Sequence, residues 1–379
     1  MRLCFIADGT STHTKRWVNY FAGRQHEVHL ISTRFTEKYD GFDSRIQMHP
    51  LARLLPQIWM LSGYLNGIAW LFQIRALIKR IKPDIVNAHY IGVPAYLAVA
   101  SGFHPLVLTA WGSDVLIDPK KNPIRRFLTK QSLQKADSIT WVSNSLREEI
   151  INLGATSEKL VITTMGVDTL KFKPGARNKE IWRKLGINNS PVVISTRTLN
   201  PIYDVGTLIR AVPLILLEVP QTKFVIIGDG SQKKYLENMA DKLGVSNSLR
   251  FLGRVPNDSL PPYLCSSDVY VSTALSDSLG ISTMEARSCG IPVVVGDLPA
   301  TREWIIDGED GLIFHLRDYR ALAEKVIRLL KSEELRKRLG VAGRVTVVER
   351  ADYNKEMAKV MRIYEQLKHF GFHPEGSLL

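Results

Sequence analysis

The chain has 379 residues, 45% of them hydrophobic, three cysteines and a formal net charge of +13. That length exceeds one ordinary core and predicts two domains, while Cys4, Cys265 and Cys289, scattered and without a C-x-x-C pair, exclude a disulfide framework and a zinc site. The positive excess is spread over both halves and would attract anionic lipid or an anionic substrate; no groove-reading module accompanies it, so nucleic acid is not an expected partner.

The chain starts with "MRLCFIADGT", whose apolar run is broken at Asp8 and Gly9, too early for the core of a signal peptide, and a cytosolic protein is expected. In the first half "RLCFIAD", "EVHLIS", "DIVNAH", "LVLTAW" and "SITWVS" read as strands ending in small or polar residues, with helices over Lys15 to Arg24 and Arg125 to Gln134. Leu54 to Ile74 carries no charged residue. Its length suits a bilayer span, but Pro56, Gln57, Ser62, Gly63, Asn66, Gly67 and Gln73 favour a helix packed inside the domain. A helix touching an anionic membrane surface stays open because Trp59, Tyr64 and Trp70 precede Arg75, Lys79 and Arg80. The densest cationic stretch, "PKKNPIRRFLTK", reads equally as a solvated face or a peripheral membrane contact. A linker is expected around Phe172 to Gly175. Beyond it, "PVVIST", "KFVIIGDG", "LRFLG", "VYVST" and "PVVVG" read as strands, with helices over Val205 to Glu218, Gln232 to Leu243, Thr283 to Cys289 and Ala321 to Lys331. Such alternation predicts parallel, doubly wound α/β sheets, and ligands in these folds bind beyond the carboxyl ends of the strands.

Four loops of the second half follow strands: "TRTLNPIY", "GDGSQ", "GRVP" and "ALSDSLGIS". The last sets Asp277 and Gly280 directly before a helix containing Glu285, so the amides of Gly280, Ile281 and Ser282 are expected at a helix start, which suits phosphate oxygens. Asp277 can accept hydrogen bonds from a sugar, and Glu285 can reach ribose hydroxyls. Taken alone, the two acids read as a helix-dipole partner and a surface residue. Arg197, just past "VVIS", has the fork geometry to hold a diphosphate. Gly228 opens a G-x-G turn lacking the third glycine, a weak dinucleotide signal and more simply a tight turn. Arg254 and Val255 offer backbone groups to a base edge.

These segments resemble family 4 retaining glycosyltransferases (glycosyl transferase group 1) of GT-B architecture, and the similarity runs nearly end to end. "DSLGISTMEA" is similar to the family's E-x-F-G-x-x-x-x-E-A, "GIPVVVGDLPATREWIIDGEDGLIF" to its continuation, and "VITTMGVDTLKFKPG" to its linker. The resemblance implies an α/β fold of two doubly wound Rossmann-like domains facing a central cleft. "ERADYNKEMAKVMRIYEQL" resembles the family's terminal helix, which crosses back to the first domain. The expected domains are 1–172 plus 352–379 on the acceptor side, and 173–351 binding the nucleotide sugar. It further implies Asp277 as the acid contacting the donor hexose, Glu285 as the ribose holder, Arg197 as the cationic clamp, and Gly280, Ile281 and Ser282 as amide donors. No metal or other cofactor is expected, since cations and helix-end amides would stabilise the leaving diphosphate. The implied partners are a nucleotide diphosphate sugar and a glycan or lipid-linked acceptor.

Departures from the family pattern are specific. The first acid is Asp rather than Glu, and Tyr203 stands where a Lys is expected, a neutral phenol with one proton to donate. On the acceptor side Thr10 to His13 occupy the place of a glycine-rich loop, with His13 near the acceptor or diphosphate or simply an ordinary residue of the helix start. "LTAWGSDVL" resembles T-x-H-G-x-D with Trp111 in place of His and Asp114 retained, and His89 in "NAHY" is a further candidate there. Two other activities share this architecture or pocket: a nucleotide-sugar 2-epimerase, and a nucleotide-binding protein that has lost catalysis. A dinucleotide-dependent oxidoreductase is disfavoured by the incomplete glycine pattern.

Overall fold

The computed structural model describes residues 1–34, 40–52, 60–187 and 189–370. Short apolar runs such as "CFIA" and "VVIS" are buried along their length, as strands covered by helices on both faces must be, and they assemble into two all-parallel sheets. The first contains β1 (Arg2–Ala7), β2 (Glu27–Ser32), β3 (Gln47–Pro50), β4 (Ile85–His89), β5 (Leu106–Thr109), β6 (Ser138–Trp141) and β7 (Leu160–Ile162), in the order β3-β2-β1-β4-β5-β6-β7. The second contains β8 (Val192–Ser195), β9 (Lys223–Ile227), β10 (Leu249–Gly253), β11 (Val269–Ser272), β12 (Val293–Gly296) and β13 (Leu312–Phe314), in the order β10-β9-β8-β11-β12-β13. Strand order reverses direction at β1/β4 in one sheet and at β8/β11 in the other. Loops leaving these strands therefore diverge and leave room for a ligand. The edge strands β3 and β7 keep partly exposed residues, so neither carries the apolar run that makes a strand legible.

Two compact units result, residues 1–165 with 356–379, and residues 166–355. The boundary falls before the linker expected at Phe172 to Gly175, because Val167 and Phe172 already pack in the second unit's core with Trp182 and Ile194. Residue 166 must be glycine: its φ is +64°, and a Cβ there would lie 2.7 Å from the Tyr353 Cα. The final helix, Tyr353–Phe370, joins the first unit from Glu356 onward. Glu356 accepts from the Thr164 amide at 2.8 Å, and the Tyr364 hydroxyl donates to Asn87 Oδ1 at 2.7 Å.

Of the charge-free stretch Leu54 to Ile74, residues 54–59 lie outside the described residues. From Met60 the chain is helical to Ile81, with Ile74, Ile78 and Ile81 buried against the first sheet. Among the described residues no helix is long and apolar enough to cross a membrane.

Candidate active site

At the exits of β8 and β11 the second unit gathers its charges. Arg197, 7% exposed, donates from one terminal nitrogen to Asp277 Oδ2 at 2.6 Å and from the other to Ser282 Oγ at 2.7 Å. Its guanidinium lies 4.4 Å from the centre of the Tyr203 ring, a cation–π contact. Burial lowers its pKa, but the Asp277 carboxylate, with the Tyr270 and Tyr203 hydroxyls, together more than offset this and hold it above the ordinary value. Asp277 Oδ1 accepts from the amides of Ser278 at 2.9 Å and Gly280 at 3.0 Å, so both carboxylate oxygens are engaged. One expectation changes here. The Gly280 amide serves Asp277 rather than pointing outward, because φ of +66° at Gly280 folds the loop back onto that carboxylate. Tyr203, which stands where a Lys was expected, lays its ring face against Arg197. It is fixed there by Thr273, whose hydroxyl donates to the Tyr203 carbonyl at 2.9 Å, and by Leu275, whose amide donates to the Ile202 carbonyl.

The helix after this loop runs Ile281–Ser288, beginning earlier than its apolar pattern suggested because Gly280 supplies the left-handed cap. Among the described residues the amides of Ile281 and Ser282 have no hydrogen-bond acceptor, the open helix start that anions favour. Ser282 Oγ takes a second donor, the buried Tyr270 hydroxyl at 2.9 Å. Asp277, Gly280 and Thr283 also line a cavity opposite Leu298, Thr301 and Trp304.

Glu285 lies one turn further, 5% exposed, and accepts from Asn257 Nδ2 at 2.8 Å. Asn257 is itself held by Lys171, whose ammonium donates to Asn257 Oδ1 at 2.7 Å and to Asp258 Oδ1. Asn257, Lys171 and Tyr270 escaped the sequence reading. Asn257 follows "GRVP" by one residue and was within reach of it, whereas Lys171 sits far off in the connecting segment and Tyr270 looks like an apolar strand position. Arg254 is exposed and without a protein partner among the described residues, and Val255 packs on the core beneath. Gly228 acts structurally: its amide donates to the Gly253 carbonyl, and a Cβ would fall 2.2 Å from the Arg197 carbonyl oxygen, so only glycine lets the two loops meet.

In the first unit the corresponding strand exits are aromatic. His13 stacks on Trp111 at 5.2 Å, and Trp17 meets Trp111 edge-on at 5.6 Å. His89 is 2% exposed and makes edge contacts with Phe5, Trp17 and Trp111. Its Nε2 donates to Asn87 Oδ1 at 3.0 Å, which leaves Nδ1 bare and buried. Burial, then the nearby His13, pushes its pKa down to about 3, so His89 is neutral in the physiological range and a ring in the core rather than a proton carrier. Asp114 is also reassigned. It is fully buried and accepts from the amides of Ile91 at 2.8 Å, Trp111 at 3.1 Å and Gly112 at 2.7 Å, so its lone pairs tie the loops after β4 and β5 together instead of meeting an acceptor. Burial raises its pKa against the pull of those amides. Thr10 remains at the exposed exit of β1, its amide and hydroxyl both donating to Asp8 Oδ1. Among the described residues no group of three His, Cys, Asp or Glu side chains has the arrangement to hold a metal ion.

The sequence model for "glycosyl transferases group 1" matches residues 177–346, and that for "glycosyl transferase 4-like" matches residues 2–144. The chain is 28% identical over 341 residues, 85% of each chain, to the GDP-mannose-dependent alpha-(1-6)-phosphatidylinositol monomannoside mannosyltransferase of Mycolicibacterium smegmatis. It is 25% identical over 356 residues, 90% of each chain, to the N-acetyl-alpha-D-glucosaminyl L-malate synthase of Bacillus anthracis. In fold it is similar to sucrose-phosphate synthase from Thermosynechococcus elongatus, with a TM-score of 0.82 at 16% identity over 97% of this chain and 99% of that one. It is equally similar to Anabaena Alr3699/HepE in complex with UDP, with a TM-score of 0.82 at 17% identity over 97% and 100% of the two chains.

Proposed function

From the premise that this chain belongs to the group 1, family 4-like glycosyltransferases and has the GT-B fold, we propose that it moves a hexose from a nucleotide diphosphate sugar to a hydroxyl, with retention of anomeric configuration and without a metal ion. The observation that carries this reading is the Arg197–Asp277–Ser282 cluster at the open start of the helix that bears Glu285. A diphosphate placed at the Ile281 and Ser282 amides would meet a helix start and a buried guanidinium together, and Glu285 and Asn257 would face a ribose. Arg197 is held in the meantime by Asp277. As the diphosphate takes up part of the guanidinium's charge, the Asp277 carboxylate becomes available to the hexose hydroxyls. In the reaction the bond from C1 to the phosphate oxygen breaks and a bond from C1 to the acceptor oxygen forms on the same face. The acceptor proton passes to the leaving phosphate, and preorganised donors stabilise the charge that develops there.

One relative, a mannosyltransferase named for a phosphatidylinositol mannoside, supports a glycan or lipid-linked acceptor in surface polysaccharide or lipid-linked glycan synthesis; a second, a glucosaminyl malate synthase, is named for a small hydroxy acid instead. Contact with an anionic membrane at its cytosolic face belongs to the same reading. The test is a thermal-shift panel of UDP, GDP, ADP and CMP and then their sugars, on wild type and Glu285→Ala, followed by product analysis in the presence of a chelator. A shift with one nucleotide that disappears in the variant, and an α-linked product from an α-linked donor without metal, support the reading. Free sugar or an epimerised nucleotide as the only product, or a chelator that abolishes turnover, overturns it.

A further inference from the structure

Three helices of the first unit, Met60–Ile81, Val93–Ser101 and Pro123–Lys135, form one layer on one face of its sheet. Chain direction puts them there: the crossovers from β3 to β4, β4 to β5 and β5 to β6 all run the same way along the sheet, and right-handed crossovers place their helices on one side. They contribute Ile74, Ile78, Ala95, Ala98 and Leu133 to one buried cluster. Arg75 donates to the Ala100 carbonyl at 2.7 Å, and the Tyr96 and Thr129 hydroxyls lie 3.0 Å apart, so the three are neighbours.

A helix covering a sheet needs a single apolar stripe. The first of these has two. Beyond the buried isoleucines, Leu65, Ile68 and Phe72 recur at helical spacing on another face and are 48%, 56% and 65% exposed. The third helix repeats the pattern with Ile124 and Phe127, 62% and 60% exposed, although its inner side already buries Thr129 and Leu133. Charge on these three helices has one sign. None of the three helices contains an Asp or Glu, and they carry Arg75, Lys79, Arg80, Arg125, Arg126, Lys130 and Lys135, all exposed. Arg125 lies 3.7 Å from Asp118 on the preceding turn, whereas Lys79, Arg80, Arg126 and Lys130 have no acidic partner among the described residues.

We infer that this helical layer is a membrane-docking face that lays Leu65, Ile68, Phe72, Ile124 and Phe127 into the headgroup boundary of an anionic bilayer, with the cations around them on lipid phosphates. Large bare apolar side chains among unpaired cations are the interfacial pattern, in which apolar burial and anionic attraction add. A nucleic acid would satisfy the cations and leave the apolar side chains in water. The inference deepens the reading of a lipid-linked acceptor and rests on it for its purpose. The binding itself requires no turnover, so the two fail separately.

The test is co-sedimentation of the full chain with vesicles of phosphatidylcholine alone and of phosphatidylcholine with phosphatidylglycerol, beside the thermal-shift assay with nucleotides. Wild type is expected to pellet with the anionic vesicles only, and less as salt rises. Arg126→Gln with Lys130→Gln should weaken partition about fivefold for each cation removed. Phe72→Glu with Phe127→Glu should lose at least tenfold while nucleotide shifts and melting temperature stay unchanged, because both side chains are solvent-facing. Equal pelleting with neutral vesicles, no pelleting, or variants that bind as wild type would each overturn the inference. So would duplex DNA displacing the protein from vesicles with unchanged binding by the Phe72 and Phe127 variant, or a dimer dispersed by that variant in a chain that ignores vesicles.

Discussion

At the exits of β8 and β11, Arg197 bridges Asp277 and Ser282, and beside the same helix Lys171 holds Asn257, which in turn holds Glu285. At the exits of β1, β4 and β5, Asp114 spends its lone pairs on backbone amides, His89 is neutral and buried, and His13 stacks on Trp111. Six strands of each sheet follow the same order, the first sheet adding β7, so the contrast lies in the side chains at corresponding strand exits. A site that receives a diphosphate needs cations kept ionised and close, and a carboxylate partner does that when burial would discharge them. The first unit uses its buried acid to fix loop geometry instead.

The sharpest way to break this contrast is to remove the shared cation. Arg197→Met should lower transfer by about 10²- to 10³-fold, the range for loss of one preorganised donor to a leaving group, with the melting temperature of the unliganded protein as the control for folding. Glu285→Ala follows. Losing hydrogen bonds to a charged acceptor should weaken nucleotide binding by about 1.5–3 kcal/mol, read by calorimetry, and the same substitution at Asp114 should instead lower stability without a selective effect on nucleotide.

His89 offers a pH test of the neutral side. Its folded pKa of about 3 lies below the ordinary 6.5. Between those values the unfolded chain binds a proton that the folded chain refuses, so this group's stability contribution is present above about pH 6.5 and is lost as pH falls toward 3. His89→Phe should flatten that part of the melting curve against pH, a difference of order a few kcal/mol at the acid end. An unchanged slope would mean that the ring is not buried as described.

The smallest expected effect is at Lys171, which steadies Asn257 and so Glu285. Lys171→Met should raise KM for the donor by a few-fold with kcat nearly unchanged, because a positioning residue of the ribose side acts on binding more than on the reacting bond. Recovery in Lys171→Arg would tie the effect to the hydrogen bond to Asn257. A fall in kcat alone would move Lys171 into the chemistry and blur the contrast.

Much of the fold was legible. Val205–Glu218 carries its apolar spacing without interruption and matches its expected ends, and the apolar runs of β1, β2, β4 and β8 name their strands. β3 and β7 were not legible, since edge strands half in water need no continuous apolar run. In the candidate site, the sequence pattern put Arg197 just past β8, Asp277 in the loop after β11 and Glu285 within the helix that follows, which is where the structure has them. What each of them touches was not.

The amino-acid sequence by itself determined the alternation of strand and helix, the two-domain organisation, and the loops in which charged residues gather, because these depend on local periodicity and on where strands end. Only the tertiary structure decided that Gly280 serves Asp277, that Tyr203 supports Arg197 with its ring, that Lys171 reaches Asn257 and that Asp114 and His89 belong to the core. Those outcomes rest on burial and on contacts between residues distant in the chain, such as 171 with 257 and 87 with 364, which no local pattern encodes.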